Sequence, residues 1–449
     1  MSGTRIEMPG EARKVDISNS TTHRKGERTS MKCPRFVLSG LLSLGLVFTG
    51  GNAHAAAGKL DPTFGSNGVV SVNFNSQFLP GDIIEQPDGK ILVSNAYFPF
   101  QVVRFDSNGS LDKSFGSGGV TNPFAPNNNP ASAGALALQS DGKILVVAGG
   151  GTVVRLNSDG SLDTNFGNGG MTTAPSVPTG WGFSGGPVLV QRDGKILLGG
   201  TASDIGYRTD IFQTVLARYD ANGSPDSTFG NSGSVQVAGS QGVTTMALLS
   251  DGDIISVNWA EIAQFSSTGE PRSSVTAGPV AVVAGSAFGA EAIEPTGEYV
   301  LSEVRNVASG RCHDNNTEVI RYTATGAVDT NFSRPLFNFA GVTGCGVSDA
   351  VSGVAIQVDG KVVLAGDHSV VPTSTLENAL IRLNTNGSLD SSFGSGGIVL
   401  NKLPSNSEGY SRVLIQSDGK IVAAGITTGT TTPTFNTVSN LTLSRYLAE

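Results

Sequence analysis

One short turn recurs seven times, and no other feature limits the possible folds as strongly. It reads PDGKI at Pro87, SDGKI at Ser140, RDGKI at Arg192, SDGDI at Ser250, PTGEY at Pro295, VDGKV at Val358 and SDGKI at Ser417. The copies lie 45 to 63 residues apart. Asp-Gly between two apolar runs predicts a β-hairpin, with a two-residue turn that needs positive φ. Glycine supplies 60 of 449 residues, against roughly 7% in an average chain, as many tight turns would require.

Two further markers fill each interval. The first is an apolar strand with one polar residue: Arg104, Arg155, Arg218, Gln264, Arg321, Arg382 and Arg445 in turn. An Asn-Gly-like turn follows in most copies. An LDxxFG-type motif comes next, with Asp61, Asp112, Asp163, Asp226, Asp329 and Asp390, and with Phe64, Phe115, Phe166, Phe229, Phe332 and Phe393. Each unit therefore reads as four antiparallel strands. Four-stranded units repeated four to eight times predict an all-β propeller, here of seven blades. The chain begins with the third marker alone ("KLDPTFGSNGVVSVNF") and ends with the second alone ("LSRYLAE"). Together they make one blade, so the N-terminal strand is expected to pair into the last blade and close the ring. A linear solenoid would need no such split.

In five copies the Arg precedes the Asp by eight residues, and the fourth unit loses both, with Gln264 and Arg272 in their places. Their joint loss predicts contact, a strand guanidinium gripping the carboxylate of the following turn. Arg445 and Asp61 would form the seventh pair across the closure. The phenylalanines are expected to plug the seams between blades. These roles are structural.

The first 55 residues differ in kind. Residues 1–30 are polar and charged and read as a disordered leader or a misplaced start. Residues 31–55 have a basic start (Lys32, Arg35), an apolar run from Phe36 to Phe48 and an Ala53-His54-Ala55 ending. That is the order of a secretory signal peptide, and the run falls short of the ~20 residues that span a bilayer. Residues 56–449 are then the propeller, secreted or extracytoplasmic (periplasmic or at the cell surface), with no integral membrane span. Removing residues 1–55 takes eight of the 29 Lys/Arg and four of the 37 Asp/Glu, leaving a net charge of −12. Such a surface repels phosphate backbones, so no nucleic-acid partner is expected.

The markers resemble the delta-60 repeat family, bacterial β-propeller repeats of undefined biochemical role. The resemblance spans roughly residues 59–449 and rests on "GSLDKSFGSGG" (109–119), "GSLDTNFGNGG" (160–170) and "QSDGKILVVAG" (139–149). It weakens around 250–300, where Asp253, Gln264, Arg272 and Thr296 depart from the pattern. It implies a secreted or cell-surface propeller and carries no catalytic residues to transfer.

Function is sought in what occurs once. Both turn markers join strands at one end of each blade, so residues 175–186, 201–213, 305–318, 366–378 and 425–440 are read as variable loops at the other end. Such loops on a rigid scaffold form a binding surface. The candidate ligand-binding residues there are His313, Asp314, Asp367, His368, Trp181 and Tyr207. His313 and His368, each beside an acid, suit zinc or manganese chemically, but solvated loop residues are the simpler reading and no metal is assigned. The run from Asp106 to Asp112 has oxygen ligands at alternate positions, as calcium loops do. The matching "TATGAVD" (323–329) lacks the first two, and a hairpin turn with an Asp bonding backbone N–H groups explains every copy, so no cofactor is expected. The favoured function is a non-catalytic scaffold for an extracellular protein or glycan. The alternative is a hydrolase or lyase at the mouth of the central channel, although the inner strands read mostly as Ala, Gly, Ile and Val.

Two cysteines follow residue 55, Cys312 and Cys345, an even pair suited to one disulfide in an oxidising compartment. It would close a loop of about thirty residues and stabilise by roughly 3–4 kcal/mol. Peptide mapping of the non-reduced protein is expected to recover a 312–345 cross-link; two free thiols would remove the assignment.

Overall fold

Seven antiparallel sheets stand around one axis, each entered at the axis and left at the rim. The computed structural model describes residues 56–449 except 75, 98, 124–133, 148–149, 173–174, 205–211, 239–241, 259–260, 277–286, 295, 310–311, 338, 340–346, 371–374, 403–405 and 430–437. From inner to outer strand, blade 1 is Pro80–Glu85, Ile91–Asn95, Val102–Phe105 and Val120–Thr121. Blade 2 is Leu136–Leu138, Ile144–Val147 and Val153–Leu156, its outer strand reduced to a bridge between Val154 and Met171. Blade 3 is Trp181–Val190, Ile196–Asp204, Phe212–Tyr219 and Ser234–Ala238; blade 4 is Thr245–Leu248, Ile254–Val257, Glu261–Phe265 and Pro271–Thr276. Blade 5 is Ala287–Ile293, Tyr299–Ser309, Cys312–Tyr322 and Leu336–Phe337; blade 6 is Val347–Ile356, Val362–Val370, Thr375–Leu383 and Ile398–Asn401. Blade 7 is Asn406–Ile415, Ile421–Gly429 and Val438–Tyr446, completed by Val69–Val72 from the start of the propeller. The described residues contain no helix long and apolar enough to cross a membrane.

The recurrent turn is one residue longer than its Asp-Gly core suggests. In blade 1, Gly89 N–H donates to Gln86 O at 2.8 Å and Gln86 N–H to Lys90 O at 2.8 Å. The loop is thus Pro87-Asp88-Gly89, with only Gly89 at positive φ (80°). This is a type I turn followed by a left-handed glycine. Asp88 keeps negative φ and accepts the Lys90 N–H at 3.2 Å, which stabilises the turn without a second glycine.

Ring closure reproduces the Asn-Gly turn from two chain segments. In blade 1, Asp106 N–H donates to Ser110 O and Gly109 N–H to Asp106 O, both at 2.8 Å. In blade 7, Leu447 N–H donates to Lys59 O at 2.9 Å and Gly58 N–H to Leu447 O at 2.8 Å. Ala448 and Ala57 therefore take the places of the consecutive residues Ser107 and Asn108. The inserted strand pairs Val69 with Ser444 and Val72 with Leu441, covering the last open edge.

Six of the seven seams between blades repeat one set of contacts. Arg104 Nε donates to Asp112 Oδ2 at 2.7 Å, and its guanidinium carbon lies 4.4 Å from the centre of the Phe115 ring. Its Nη1 reaches across to Ser158 O in the turn of blade 2. The same ion pair forms between Arg155 and Asp163 (2.8 Å), Arg218 and Asp226 (2.6 Å), Arg321 and Asp329 (2.6 Å), Arg382 and Asp390 (2.8 Å), and Arg445 and Asp61 (2.9 Å). Arg155 also reaches Ala221 O and Arg382 reaches Ala448 O, each at 2.6 Å and each in the following blade. Phe115 itself packs among Leu92 and Val102 of blade 1 and Ile144 and Val154 of blade 2. It abuts Gly160 so closely that a Cβ there would stand 2.8 Å from the ring. Phe64, Phe166, Phe229, Phe332 and Phe393 sit in the equivalent clusters.

Blade 4 keeps the electrostatics with the signs exchanged. In every blade but 4 and 5 the turn lysine joins the motif carboxylate, as Lys90 Nζ does with Asp112 at 2.7 Å. In blade 4 Asp253 replaces that lysine and Arg272 replaces the motif Asp, and the two pair at 2.7 Å. An arginine at position 264 would then face Arg272. Gln264 stands there instead, its Nε2 3.4 Å from Asp253 Oδ2. The phenylalanine is lost with the motif, and the seam to blade 5 is filled by Tyr299 and Tyr322, stacked at 4.7 Å among Ile255, Val257 and Ile262.

Several segments read as loops are strand. Residues 305–309 and 312–318 belong to the eleven-residue strands of blade 5, and 366–370 and 375–378 to those of blade 6. Residues 181–186, 201–204, 212–213, 425–429 and 438–440 likewise lie in strands. Their polar composition hid this, since in these tall hairpins ladder hydrogen bonds, rather than apolar burial, extend the pairing. Cys312, His313 and His368 are accordingly strand residues; Cys345 lies outside the described residues.

Replacing Phe115 by Ala is expected to cost about 3–5 kcal/mol, because it empties a seam. Arg104→Ala and Asp112→Ala should each destabilise, and the double change should cost clearly less than their sum. Denaturant unfolding of the four proteins checks both; strict additivity would refute the coupling.

Candidate functional site: the central cavity

All seven inner strands face a common axial cavity of about 660 Å³, lined by residues 81–83, 96, 134–136, 185–189, 244–246, 291, 352–354 and 412–413. Small residues dominate because neighbouring inner strands crowd together here. A Cβ on Gly81 would stand 2.9 Å from Gly134 Cα, and one on Gly353 3.1 Å from Val413 N. Into this lining the chain places three charged side chains, Asp82, Glu291 and Arg412.

Two of them fasten adjacent blades. Arg412 of blade 7 donates from Nε to Gly81 O of blade 1 at 2.7 Å, and from Nη1 to Ser411 O at 2.7 Å. Asp82 of blade 1 accepts the Leu136 N–H of blade 2 at 2.8 Å, and the Ile83 N–H at 2.8 Å on its other oxygen. Burial pushes the Asp82 carboxyl up to about 6, against the pull of those amides and of the Arg412 charge. Burial likewise lowers the Arg412 guanidinium from its ordinary value, which the charge of Asp82 partly offsets. Glu291 comes from the inner strand of blade 5, beside Thr244 of blade 4. Its Oε2 is buried without a hydrogen-bond partner. Burial raises its carboxyl to about 7, Thr244 offsetting part of the rise. Near neutral pH Glu291 can therefore both hold and release a proton.

Of the residues singled out from sequence, the structure describes the side chains of His368, Asp367 and Trp181. His368 is only 3% exposed, and its Nδ1 lies 2.5 Å from Oδ1 of the fully buried Asp349. Asp349 Oδ2 accepts the Phe339 N–H at 3.0 Å, so this pair anchors the connection between blades 5 and 6. His368 is thus a buried strand residue, in place of the exposed loop ligand expected. Asp367 beside it is half-buried, its carboxyl raised to about 6 by burial and by the charge of Asp349, with His368 acting against the rise. Trp181 is half-buried at the start of the inner strand of blade 3, opposite Asp204. His313 and Asp314 pair in register with Ala308 and Val307; their side chains, and all of Tyr207, lie outside the described part. Among the described residues no group of three or more His, Cys, Asp or Glu could hold a metal ion.

Asp82 and Arg412 escaped the sequence reading although a signal for them exists. Six residues before the turn Asp, or the Thr replacing it in blade 5, the seven units carry Asp82, Ala135, Pro187, Thr245, Ala290, Gly353 and Arg412. Only blades 1 and 7, which are neighbours in the closed ring, place a charge there.

Residues 86–115, 139–166, 191–229, 357–393 and 416–448 match a family described as a domain of unknown function (DUF5122) beta-propeller. The first four segments carry turn, Arg strand and Phe motif together, the fifth carries turn and Arg strand alone because its motif comes from Asp61 and Phe64, and blades 4 and 5 are outside them. The chain is a seven-bladed β-propeller, and these five segments of it are similar to that family. No curated protein matches it. Among solved structures, it is similar to YCF48 bound to D1 peptide (11% identity, TM-score 0.46, covering 88% of this chain and 100% of that one). It is also similar to BamB from Moraxella catarrhalis (11%, 0.39, 84% and 91%). A third is the extracellular domain of a one component system from B. thetaiotaomicron (10%, 0.39, covering 83% of this chain); the chain spans 39% of that protein's length.

The raised carboxyls define a pH dependence. A carboxyl raised on folding contributes stability that is present below its unfolded value and lost as pH rises through its folded one. For Asp82 and Glu291 that loss falls between about pH 4 and pH 7. Glu291→Gln is expected to stabilise at pH 8, by on the order of 1–3 kcal/mol, and to change little at pH 4.5. Urea titrations at the two pH values measure this; an equal effect at both would show that Glu291 is not held protonated.

Proposed function

We propose that the protein is an extracytoplasmic, non-catalytic binding propeller of the delta-60 repeat type, whose ligand, an extracellular glycan or a protein segment, is received at the central cavity. The observation that carries this reading is the departure from repeat symmetry there. Where the units otherwise place small or apolar residues, three charged side chains converge, and one of them, Glu291, keeps a buried oxygen with no partner. A buried unpaired polar atom costs roughly 1–3 kcal/mol, which a ligand's hydrogen bond would recover. The tall hairpins of blades 5 to 7 carry sequence that does not repeat from blade to blade, as a scaffold's recognition segments do. Residues 31–55, with their signal-peptide order, supply the location, and residues 56–449 the binding unit. The Cys312–Cys345 bond belongs to the same proposal.

One observation favours the hydrolase or lyase alternative, the readiness of Glu291 to exchange a proton near neutral pH. A glycan and protein array probed with the full chain separates the two. Binding without consumption of the ligand, lost in a Thr245→Trp variant that fills the cavity yet melts normally, is expected. Ligand retained by the filled variant would move the site to the hairpin face, and cleavage of the ligand would establish an enzyme.

A further inference from the structure

We infer that the cavity is an anion site for a small hydroxylated monocarboxylate of sugar-acid size, whose carboxylate docks on Arg412. The inference rests on the cavity reading above and names the class of ligand. Six other guanidiniums are withdrawn into the fold, Arg104, Arg155, Arg218, Arg321, Arg382 and Arg445, and each holds a carboxylate within 2.9 Å. Arg412 is half-buried and holds none. Its Nε and Nη1 are spent on the carbonyls of Gly81 and Ser411, leaving Nη2 without a described partner. Asp82 is near enough to feel its charge, but both Asp82 oxygens are occupied by backbone amides. A sheltered guanidinium with a free donor calls for an anion.

The rest of the lining selects which anion. Asp82 and Glu291 are the only other ionisable groups on the described walls, and both are acids. A dianion such as phosphate would meet their charge, whereas a single carboxylate can accept a proton shared from either acid when they are neutral. The hydroxyls of Thr245 and Ser352 suit a ligand that carries hydroxyl groups, while that of Thr244 is already donated to Val257 O. The volume of about 660 Å³ lies within the range of roughly 300–1,000 Å³ typical of small-molecule sites.

Calorimetric titration of the full chain with D-glucuronate, at pH 5.5 and pH 8, tests this, with D-glucose and inorganic phosphate as comparison probes. Glucuronate is expected to bind, about tenfold more tightly at pH 5.5, where Asp82 and Glu291 carry less negative charge, and more tightly than either comparison probe. Arg412→Gln should weaken it about tenfold or more, and Glu291→Gln should narrow the affinity difference between the two pH values, the remainder belonging to Asp82. Should Arg412→Gln not fold, Arg412→Lys replaces it, with a smaller loss expected because the charge remains. No glucuronate binding at either pH, equal affinity in the Arg412 variants, or glucose bound as well as glucuronate would overturn the inference. A neutral ligand found by array and excluded by Thr245→Trp would overturn it while leaving the cavity reading intact.

Discussion

Everything in this ring hangs on the arginine that stands in the third strand of six of the seven blades. It sits in an apolar strand, covers a phenylalanine face, pairs with the carboxylate of the next turn and, in most blades, extends its last nitrogen to a carbonyl of the following blade. Burying an ion pair gains little net stability over apolar packing, because desolvation offsets the attraction. What the pair adds is directional. An apolar seam lets one blade slide on another, whereas a guanidinium with three fixed acceptors allows one placement. Burial by itself would raise the Asp112 carboxyl, yet Lys90, Ser114 and Arg104 together hold it well below the usual range. The clasp therefore stays charged through ordinary pH.

The exception in blade 4 shows that the requirement is electrostatic rather than tied to residue identity. With Asp253 and Arg272 exchanged in sign, the same two positions still pair, and the third member has become neutral. The plug lost with the motif is replaced from the other side of the seam. Tyr299 stands where other blades carry Ile or Val and stacks on Tyr322. The ring tolerates such exchanges because each seam is closed locally by its two blades.

Seven blades clasped at the rim leave the inner strands crowded at the axis, and the cavity follows from that crowding. Glycines admit close approach of neighbouring strands, and side chains that reach across take over the fastening. Arg412 ties blade 7 to blade 1 and Asp82 ties blade 1 to blade 2, next to the place where the chain closes on itself. Structural and chemical roles coincide in these residues: the groups that hold the axis together are also its charged lining.

The sequence by itself determined the blade number, the strand order, the closure and the clasp, because each recurs and every copy tests the others. Arg104 and Asp112 were legible as partners from the single unit in which both are replaced. The site was much less legible. His368 and Asp367, conspicuous beside each other in sequence, lie in a strand, with His368 turned inward onto Asp349. Asp82, Glu291 and Arg412 look unremarkable in three strands 82, 291 and 412 residues along the chain. Only ring closure makes blade 7 the neighbour of blade 1, and only the axial packing removes water from carboxyls that would be ordinary on a surface. Local pattern fixes local structure; the meeting of distant, singly occurring charges, and the shifts that burial imposes on them, belongs to the tertiary fold.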